Sequence, residues 1–455
     1  MAKKELDLEE NLTKAEIRKT IIVFAWPIVA ELMLMSLLNI VNLSMVGHLG
    51  AYALSSVGLT NQPVYISNAV FQSFNVGATA LVARFIGAKE YRQAKAVVIQ
   101  TMLMAVILGG ILALFGFIFA KPIVVFLGAQ TDTVGPASMY MRYMAIGMLF
   151  QSIPIAVTSI LRGAGESKIP MRYNIISNIV NAGAGFILIY GFWFIPSFGL
   201  QGAALATTLA KLTACAMSLF ALFRTRLPVA ISLRDSFHLD FSVIKRIMNI
   251  GISAAGEQLA MRLGFLLYAK IVAGLGTVAF AAHQVCLSIT QLVSNAINGL
   301  SAAASSFTGR HLGAEKPELA EEYCRQIIRI GLIISLSVGS LFLTAGGPIA
   351  RIYTSDAGVI SLVILVLRIA ILIIIPQNYL SIVAGCLRGA GDTRWPLVTA
   401  IVGMVFARVS LAALFVIVFR WGLGGAWFAA VCDQSIRSVL VYYRFKTGKW
   451  KRIVV

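Results

Sequence analysis

The chain has 455 residues, of which 58% are apolar and only 13% are charged, and its mean hydropathy is +0.84. Soluble domains carry about 25% charged residues, so this composition excludes a string of water-soluble domains and indicates that lipid surrounds most of the surface. The net charge of +19 would suggest nucleic-acid binding in a soluble protein, but the charges here cluster in short segments between apolar runs, which is typical of a membrane protein.

Twelve apolar segments are long enough to cross a bilayer as helices, because a hydrocarbon core of about 30 Å needs about 20 helical residues. Their predicted bounds are 21–46, 53–83, 95–120, 138–160, 169–190, 199–223, 247–272, 278–308, 326–346, 359–385, 396–419 and 424–445. The first twenty residues are polar and contain no cleavable signal peptide. Outside the span interiors, nearly all Lys and Arg fall on the side of both termini, and only Lys121, Arg351 and Arg420 fall on the other. This bias predicts a multi-pass protein of the plasma (cytoplasmic) membrane with both termini cytosolic.

The two halves of the chain repeat at a fixed offset of 226 residues. Glu31 falls on Glu257, and the Leu-Arg-Gly-Ala-Gly sequence at 161–165 recurs at 387–391. We therefore predict two six-helix lobes related by a pseudo-twofold axis along the membrane normal, an architecture of transporters that rock around a central cavity. The predicted divisions are a cytosolic tail at 1–20, an N-lobe at 21–223, a cytosolic linker at 224–246, a C-lobe at 247–445 and a cytosolic tail at 446–455.

Several motifs in this order resemble the multidrug and toxic compound extrusion (MATE) family, in particular a bacterial branch. They are Trp26-Pro27, the Val-Gly-His-Leu-Gly run at 46–50, the two Leu-Arg-Gly-Ala-Gly sequences and the segment 251–276. The resemblance covers nearly the whole chain. It implies efflux of organic cations driven by inward flux of Na⁺ or H⁺, and a bend at Pro27 that is linked to the state of the first-span acid.

The chain departs from the family at its usual cation sites. The acidic residue that many members carry late in the first span is Asn42 here, and the fifth-span aspartate is Gly185. The seventh-span glutamate of other branches falls on Met261, one turn after Glu257. The cation site therefore cannot be copied from those relatives.

Three acidic residues lie deep within predicted spans, namely Glu31, Glu257 and Asp433. A carboxylate at such a depth is costly and is by default a functional hypothesis. Glu31 and Glu257 are the candidates for cation coupling, near the midplane, and Asn42 on the same helix face as Glu31 is a third. A structural ion pair between helices is the alternative. Lys211 and Arg262 also lie deep, and either is a possible partner of Glu257. For Asp433 we predict a structural ion pair with Arg408.

The second and eighth spans are rich in Asn and Gln, whose amides find no hydrogen-bond partners in lipid. We expect Gln258 of the seventh span and six of these amide residues to face the cavity: Gln62, Asn75, Gln284, Gln291, Asn295 and Asn298. They could equally bond between helices. The glycines of the two Leu-Arg-Gly-Ala-Gly loops permit tight turns, and Arg162 and Arg388 are expected to cap helix C-termini. His283 is interpreted as packing or as a hydrogen-bond donor.

The five cysteines form no CxxC pair, so the sequence supports neither a disulfide framework nor a zinc site. No metal and no cofactor are predicted, apart from H⁺ or Na⁺ as the coupling ion.

These patterns favour a secondary active transporter, working as a monomer, that exports amphipathic and often cationic organic compounds by antiport with H⁺ or Na⁺. The alternative within transport is a flippase for lipid-linked precursors, because Lys211, Arg262 and Arg408 could line a cationic cavity. A major facilitator is disfavoured, because the loop after the second span lacks the Asp-Arg pair of that class. A membrane-embedded enzyme is less favoured still, since HExxH, GxSxG and P-loop motifs are missing. The sequence names neither the substrate nor the coupling ion.

Overall fold

Twelve long helices make up most of the computed structural model, which describes residues 13–193, 196–224, 227–232, 235 and 237–453. We number them α1 to α12 in chain order: Lys14–Gly47, Ala51–Gly87, Tyr91–Ile118, Val134–Gly163, Lys168–Tyr190, Gly199–Arg224, Phe241–Ala273, Thr277–Gly313, Pro317–Tyr353, Ala357–Gly389, Arg394–Val418 and Gly422–Lys446. A short helix, Ala120–Phe126, follows α3. Each predicted span lies within a few residues of one of these helices, so the predicted all-α fold of twelve helices in two six-helix halves is confirmed.

Ten of the twelve helices are long and apolar enough to cross a membrane by length and composition alone. The other two are α7 and α12, whose interiors carry charged residues that lower the local hydropathy. Glu257 and Arg262 lie within α7, and Asp433 and Arg437 lie within α12. Charges in the interior of a spanning helix mark sites of function or of ion pairing, and both helices contribute to the candidate site.

The repeated Leu-Arg-Gly-Ala-Gly sequence ends α4 and α10 with the same backbone turn. The N–H of Gly165 donates to the Arg162 carbonyl at 3.1 Å, and the N–H of Gly391 donates to the Arg388 carbonyl at 3.0 Å. Gly165 and Gly391 have φ of 87° and 86°, a left-handed conformation that glycine adopts without steric cost. The expectation that the arginine side chains cap these helices is wrong. The backbone turn already bonds terminal carbonyls, so the guanidinium groups are free to reach carboxylates on other helices.

The chain forms two compact units, and the two boundaries between them along the chain lie inside α1 and inside α7. The carboxyl unit consists of the residues up to Val29 together with 249–455, and the amino unit is Ala30–Met248. α1 remains helical through Pro27, two residues before the boundary.

Within the carboxyl unit, the first half of α1 packs against helices from the second half of the chain. The Phe24 and Phe307 rings meet edge to face with centroids 5.2 Å apart. Arg18 Nε donates to Gln326 Oε1 at 2.8 Å. The main apolar core of this unit joins all six helices from α7 to α12. Its members include Tyr268, Cys286, Val363, Leu367, Phe415 and Trp427.

The amino unit has its own apolar core between α2, α4 and α6. Three methionines one turn apart on α4, together with valines of α2 and small residues of α6, form this core. They include Val57, Val64, Met141, Met144, Met148 and Ala204. Within the unit, α4 also packs against α3 and α5, which places α4 at its centre.

A disulfide joins Cys324 of α9 to Cys386 of α10, with the two Cα atoms 6.6 Å apart. The sequence argument against disulfides is therefore wrong at this pair. Short motifs such as CxxC do not detect cysteines that are 62 residues apart and meet only because two helices pack side by side. Cys215, Cys286 and Cys432 are free thiols.

The end of the chain packs onto the carboxyl unit through Trp450. The Trp450 side chain is completely buried, and its ring stacks on Phe445 with centroids 5.2 Å apart. Lys451 Nζ lies 2.6 Å from Glu321 Oε2 and 3.2 Å from Glu318 Oε2 at the start of α9. Part of the predicted C-terminal tail is thus an anchored segment of the fold.

Candidate functional site: a buried carboxylate–arginine pair in each half

In the amino unit, Glu31 of α1 is held by side chains of two other helices. Arg162 Nη2, in the last turn of α4, donates to Glu31 Oε2 at 2.9 Å. Asn174 Nδ2 of α5 donates to Glu31 Oε1 at 2.8 Å. Glu31 is only 4% exposed, so both carboxylate oxygens are satisfied by protein donors.

In the carboxyl unit, Glu257 of α7 has the same kind of partner. Arg388 Nη1, in the last turn of α10, donates to Glu257 Oε1 at 3.0 Å and to Oε2 at 3.3 Å. Arg388 Nη2 also donates to Ser301 Oγ of α8 at 3.2 Å. Neither Lys211 nor Arg262 is needed to explain the burial of Glu257, because Arg388 neutralises it.

The two pairs are the same feature of the repeat. Each glutamate is separated from its arginine by 131 residues. The surroundings differ, because the position equivalent to Asn174 is Ala400, and that equivalent to Ser301 is Asn75. Asn75 is buried and donates from Nδ2 to the Phe71 carbonyl of its own helix at 2.7 Å.

Both carboxylates bond to arginines in the last turns of α4 and α10. Their location near the midplane stays a prediction. A buried carboxylate with a hydrogen-bonded arginine is a stable, strongly coupled arrangement. Removing either charge, by mutation or by binding a cation to the carboxylate, leaves the partner unpaired.

The carboxyl unit contains further buried charges next to Glu257. Arg408 Nη2 lies 2.8 Å from Asp433 Oδ2, which is the ion pair expected from the sequence. Arg437 is 5% exposed and donates to Met261 Sδ at 3.4 Å. Asp433, Glu257, Arg408 and Arg388 all act electrostatically on Arg437. Together these five side chains, three arginines (Arg388, Arg408 and Arg437) and two carboxylates (Glu257 and Asp433), carry one positive charge in excess.

Gly403 lies where the backbone of α11 forms wide, π-type turns. A Cβ atom at Gly403 would lie 2.2 Å from Arg437 Cγ and 2.4 Å from Asp433 Oδ1, so only glycine leaves room for these side chains. The π-type turns run from Ile401 to Arg408. Such turns recur at functional sites in helices.

Two aromatic rings of α7 lie close to Arg408. The guanidinium carbon of Arg408 lies 5.4 Å from the Phe265 ring centroid and 5.7 Å from that of Tyr268, within the range of cation–π attraction. The His283 ring packs against the Tyr268 and Trp427 rings with centroids 5.6 Å and 5.7 Å away, so the expectation that His283 packs is confirmed. In the bond from Trp427 Nε1 to His283 Nδ1, at 3.2 Å, His283 accepts rather than donates.

The polar candidates of the second and eighth helices do not form one cluster with the glutamates. Gln291 Nε2 donates to Asn295 Oδ1 at 3.1 Å within α8, so this bond is not one of the bonds between helices that were the alternative. The exposed members of the set are Gln62, Gln258, Gln284, Gln291 and Asn298. Asn42 is half-buried and lies eleven residues along α1 from Glu31, about 16 Å at 1.5 Å per residue, so it does not contact that carboxylate. The described part of the chain contains no cluster of His, Cys, Asp or Glu that could hold a metal ion.

Twelve apolar helices form two repeats, and each repeat contains a buried ion pair. This arrangement defines a multi-pass membrane transporter. The MatE family profile matches residues 27–187 and 254–414, one match in each half, and the chain belongs to this family. It is thus a multidrug efflux transporter and not an enzyme. The probable multidrug resistance protein NorM of Thermotoga maritima is 28% identical over 450 residues, which span 97% of this chain and 94% of that protein.

Solved transporter structures show the same fold. One is the outward-facing conformation of a multidrug resistance MATE family transporter of the MOP superfamily, with a TM-score of 0.89 and 24% identity over 98% of this chain and 100% of that one. Another is a MOP superfamily transporter from Pyrococcus furiosus, with a TM-score of 0.88 and 24% identity over 98% of this chain and 100% of that one. Its description reports a binding pocket of reverse polarity that suggests a different function.

Proposed function

We propose that this transporter exports amphipathic, often cationic organic compounds by antiport with H⁺ or Na⁺, and that the coupling ion competes with Arg388 for Glu257 and with Arg162 for Glu31. The observation that carries the proposal is the recurrence of the same buried pair in both halves, at the same separation of 131 residues.

The coupling step is an exchange of partners on a carboxylate. A proton bound to Glu257 removes its negative charge and breaks the charge-assisted bond to Arg388. A Na⁺ ion would instead take the carboxylate oxygens as hard ligands, and in the amino unit the Asn174 amide oxygen is a further ligand of the same kind. Either event takes the carboxylate partner from a partly buried guanidinium, which favours a rearrangement that gives the guanidinium a new charged partner.

The exchange can move helix ends because of where the arginines lie. Arg162 and Arg388 occupy the last turns of α4 and α10, so each pair ties a helix end to α1 or to α7. Releasing the pair frees that end. The lysine and arginine distribution supports a cytosolic location for these ends, and two complete six-helix halves in one chain support action as a monomer in the cytoplasmic membrane.

The test is efflux of a fluorescent organic cation from liposomes that contain the purified protein, with a proton gradient and a Na⁺ gradient imposed separately. Glu257→Gln and Glu31→Gln are expected to lower gradient-driven efflux at least tenfold. The matched control is Glu90→Gln, because Glu90 is exposed and makes no side-chain capping bond. Normal gradient-driven efflux by both pair variants would overturn the coupling assignment.

A lipid-linked precursor flippase is the second candidate, and the positive excess within the carboxyl unit favours it. Three arginines against two carboxylates suit an anionic substrate better than a cationic one. The reverse polarity reported for the Pyrococcus furiosus relative is consistent with such variation. Translocation of a fluorescent polyprenyl diphosphate lipid, with no efflux of organic cations under either gradient, would favour this candidate.

A further inference from the structure

Lys211 lies at the middle of α6, where a lysine is hardest to accommodate in a membrane. It is twelve residues after Gly199 and thirteen before Arg224, which is about 18 to 20 Å from either end of the helix. Its side chain cannot reach the interfacial region as lysines near helix ends do. The ammonium nitrogen is buried and has no hydrogen-bond partner among the described residues.

The Lys211 head lies between α6 and α4 of the amino unit. A Cβ atom at Gly147 would lie 3.0 Å from Lys211 Cδ and 3.3 Å from Nζ, so the lysine fills the space that glycine leaves on α4. Thr208, almost one turn earlier on α6, donates from Oγ1 to the Tyr143 carbonyl at 3.1 Å. One turn beyond Gly147, the buried Gln151 Oε1 also has no partner.

The helices α4, α5 and α6 carry no aspartate or glutamate of their own. Tyr143 of α4, Tyr173 of α5 and Cys215 of α6 are titratable residues about one turn from this contact, and Asn174, next to Tyr173, holds the Glu31 carboxylate. The nearest charged pair on α4 is Glu31–Arg162. Arg162 is fifteen residues beyond Gly147, about 22 Å along the axis. Lys211 therefore differs from Arg162, Arg388 and Arg408, each of which has a carboxylate partner.

We propose that Lys211 is a proton-binding site of the amino unit, with the proton as its ligand. As a site for the coupling ion, this proposal rests on the proposed antiport function. The enclosure of Nζ excludes an organic anion as the occupant, since α4 and α6 would have to separate to admit one. On release, the N–H bond breaks, its electron pair stays on Nζ, and the proton passes to water; uptake is the reverse.

The other half of the chain shows what a neutral residue does at this position. With the three-residue slip that aligns Gly199 with Gly422, Lys211 corresponds to Gln434 of α12. The equivalents of Asp433 and Arg437 in the amino unit are Ala210 and Ala214. The amino unit thus lacks the extra charges of the carboxyl unit and carries one lysine in their place. Lys211→Gln recreates a side chain that the fold already accommodates at the equivalent site.

The first test is a difference titration of purified protein in detergent, which needs no substrate. Wild-type protein is expected to release about one proton more than Lys211→Gln as the pH rises from about 6 to 9. Lys121→Gln is the control, because Lys121 is exposed to solvent, and this variant is expected to release as many protons as wild type over the same range. Equal titration curves for wild type and Lys211→Gln would overturn the site.

The second test separates this site from the proposed antiport. Lys211→Arg keeps a positive charge at every pH, and Lys211→Gln removes it. Both are expected to lower proton-driven efflux at least tenfold while remaining monodisperse, with melting temperatures no lower than that of wild type. A titrating proton at Lys211 without any proton-driven efflux in the wild type would leave the site standing and refute antiport with protons. If Lys211→Arg drives efflux with protons at the wild-type rate, the proposed role of Lys211 in proton binding and release is wrong.

Discussion

Removing Arg388 should destabilise the protein more than removing Glu257 or removing both. Arg388→Gln leaves the Glu257 carboxylate, with 10% side-chain exposure, without its charged partner. Breaking a buried ion pair in this way costs about 3 to 5 kcal/mol. Glu257→Gln leaves a guanidinium that is 22% exposed and still bonded to Ser301, so we expect a cost of only about 1 to 2 kcal/mol.

The assay is thermal unfolding of all four members of a double-mutant cycle in one detergent. At about 2 to 4 °C per kcal/mol for a unit of roughly 200 residues, Arg388→Gln should lower the melting temperature by about 6 to 20 °C. The double variant should recover much of this loss, because it removes both charges of the pair and leaves neither without the other. Additive effects of the two single substitutions would show that the residues are not coupled, and would refute the reasoning for both halves.

Three further predictions follow from other parts of the fold. Trp450→Ala should cost about 3 to 5 kcal/mol, because the ring is completely buried against the carboxyl unit, and it should expose the C-terminal segment to added protease; a wild-type digestion pattern would contradict this. The hydrogen bond from Lys95 lowers the pKa of Asp235 in the linker. The contribution of this ion pair to stability is therefore present above the ordinary carboxyl pKa of about 3.9, and it is lost as the pH falls through the lower pKa of the folded protein. Cleavage by protease near Asp235 should increase in acid, and Lys95→Met should increase it at neutral pH. Thiol counting on denatured protein should give three reactive cysteines before reduction and five after it, and five before reduction would show that the disulfide does not form.

The sequence was sufficient for the fold because its main signals are local. Apolar runs of about 20 residues specify spanning helices wherever they occur, and the fixed offset of 226 residues revealed the duplication. The two glutamates were also identified correctly as buried. Their partners were missed, because the arginines occur in a glycine-rich motif that resembles an ordinary helix end.

A signal for the partners was nevertheless present in the repeat. Arg162 and Arg388 recur at the same offset as the two glutamates, but so do Arg84 with Arg310 and Arg142 with Arg368. The repeat therefore narrows the candidates without choosing among these arginines. No such signal existed for Arg437, whose equivalent is Ala214. The disulfide and the contacts of Lys211 depend on how helices pack side by side, which a single sequence does not specify.

The division of α1 between the two units has a consequence for biosynthesis. Phe24 and Arg18 pack against residues that are made much later, and Arg18 is separated from Gln326 by 308 residues. At ribosomal rates of about 5 to 20 residues per second, the start of α1 waits on the order of tens of seconds for these partners. During that time, the newly inserted segment 14–29 exposes an unmatched surface to lipid or to the insertion machinery. The folding of α1, the first helix to be synthesised, is therefore completed only when the second half of the chain has been translated.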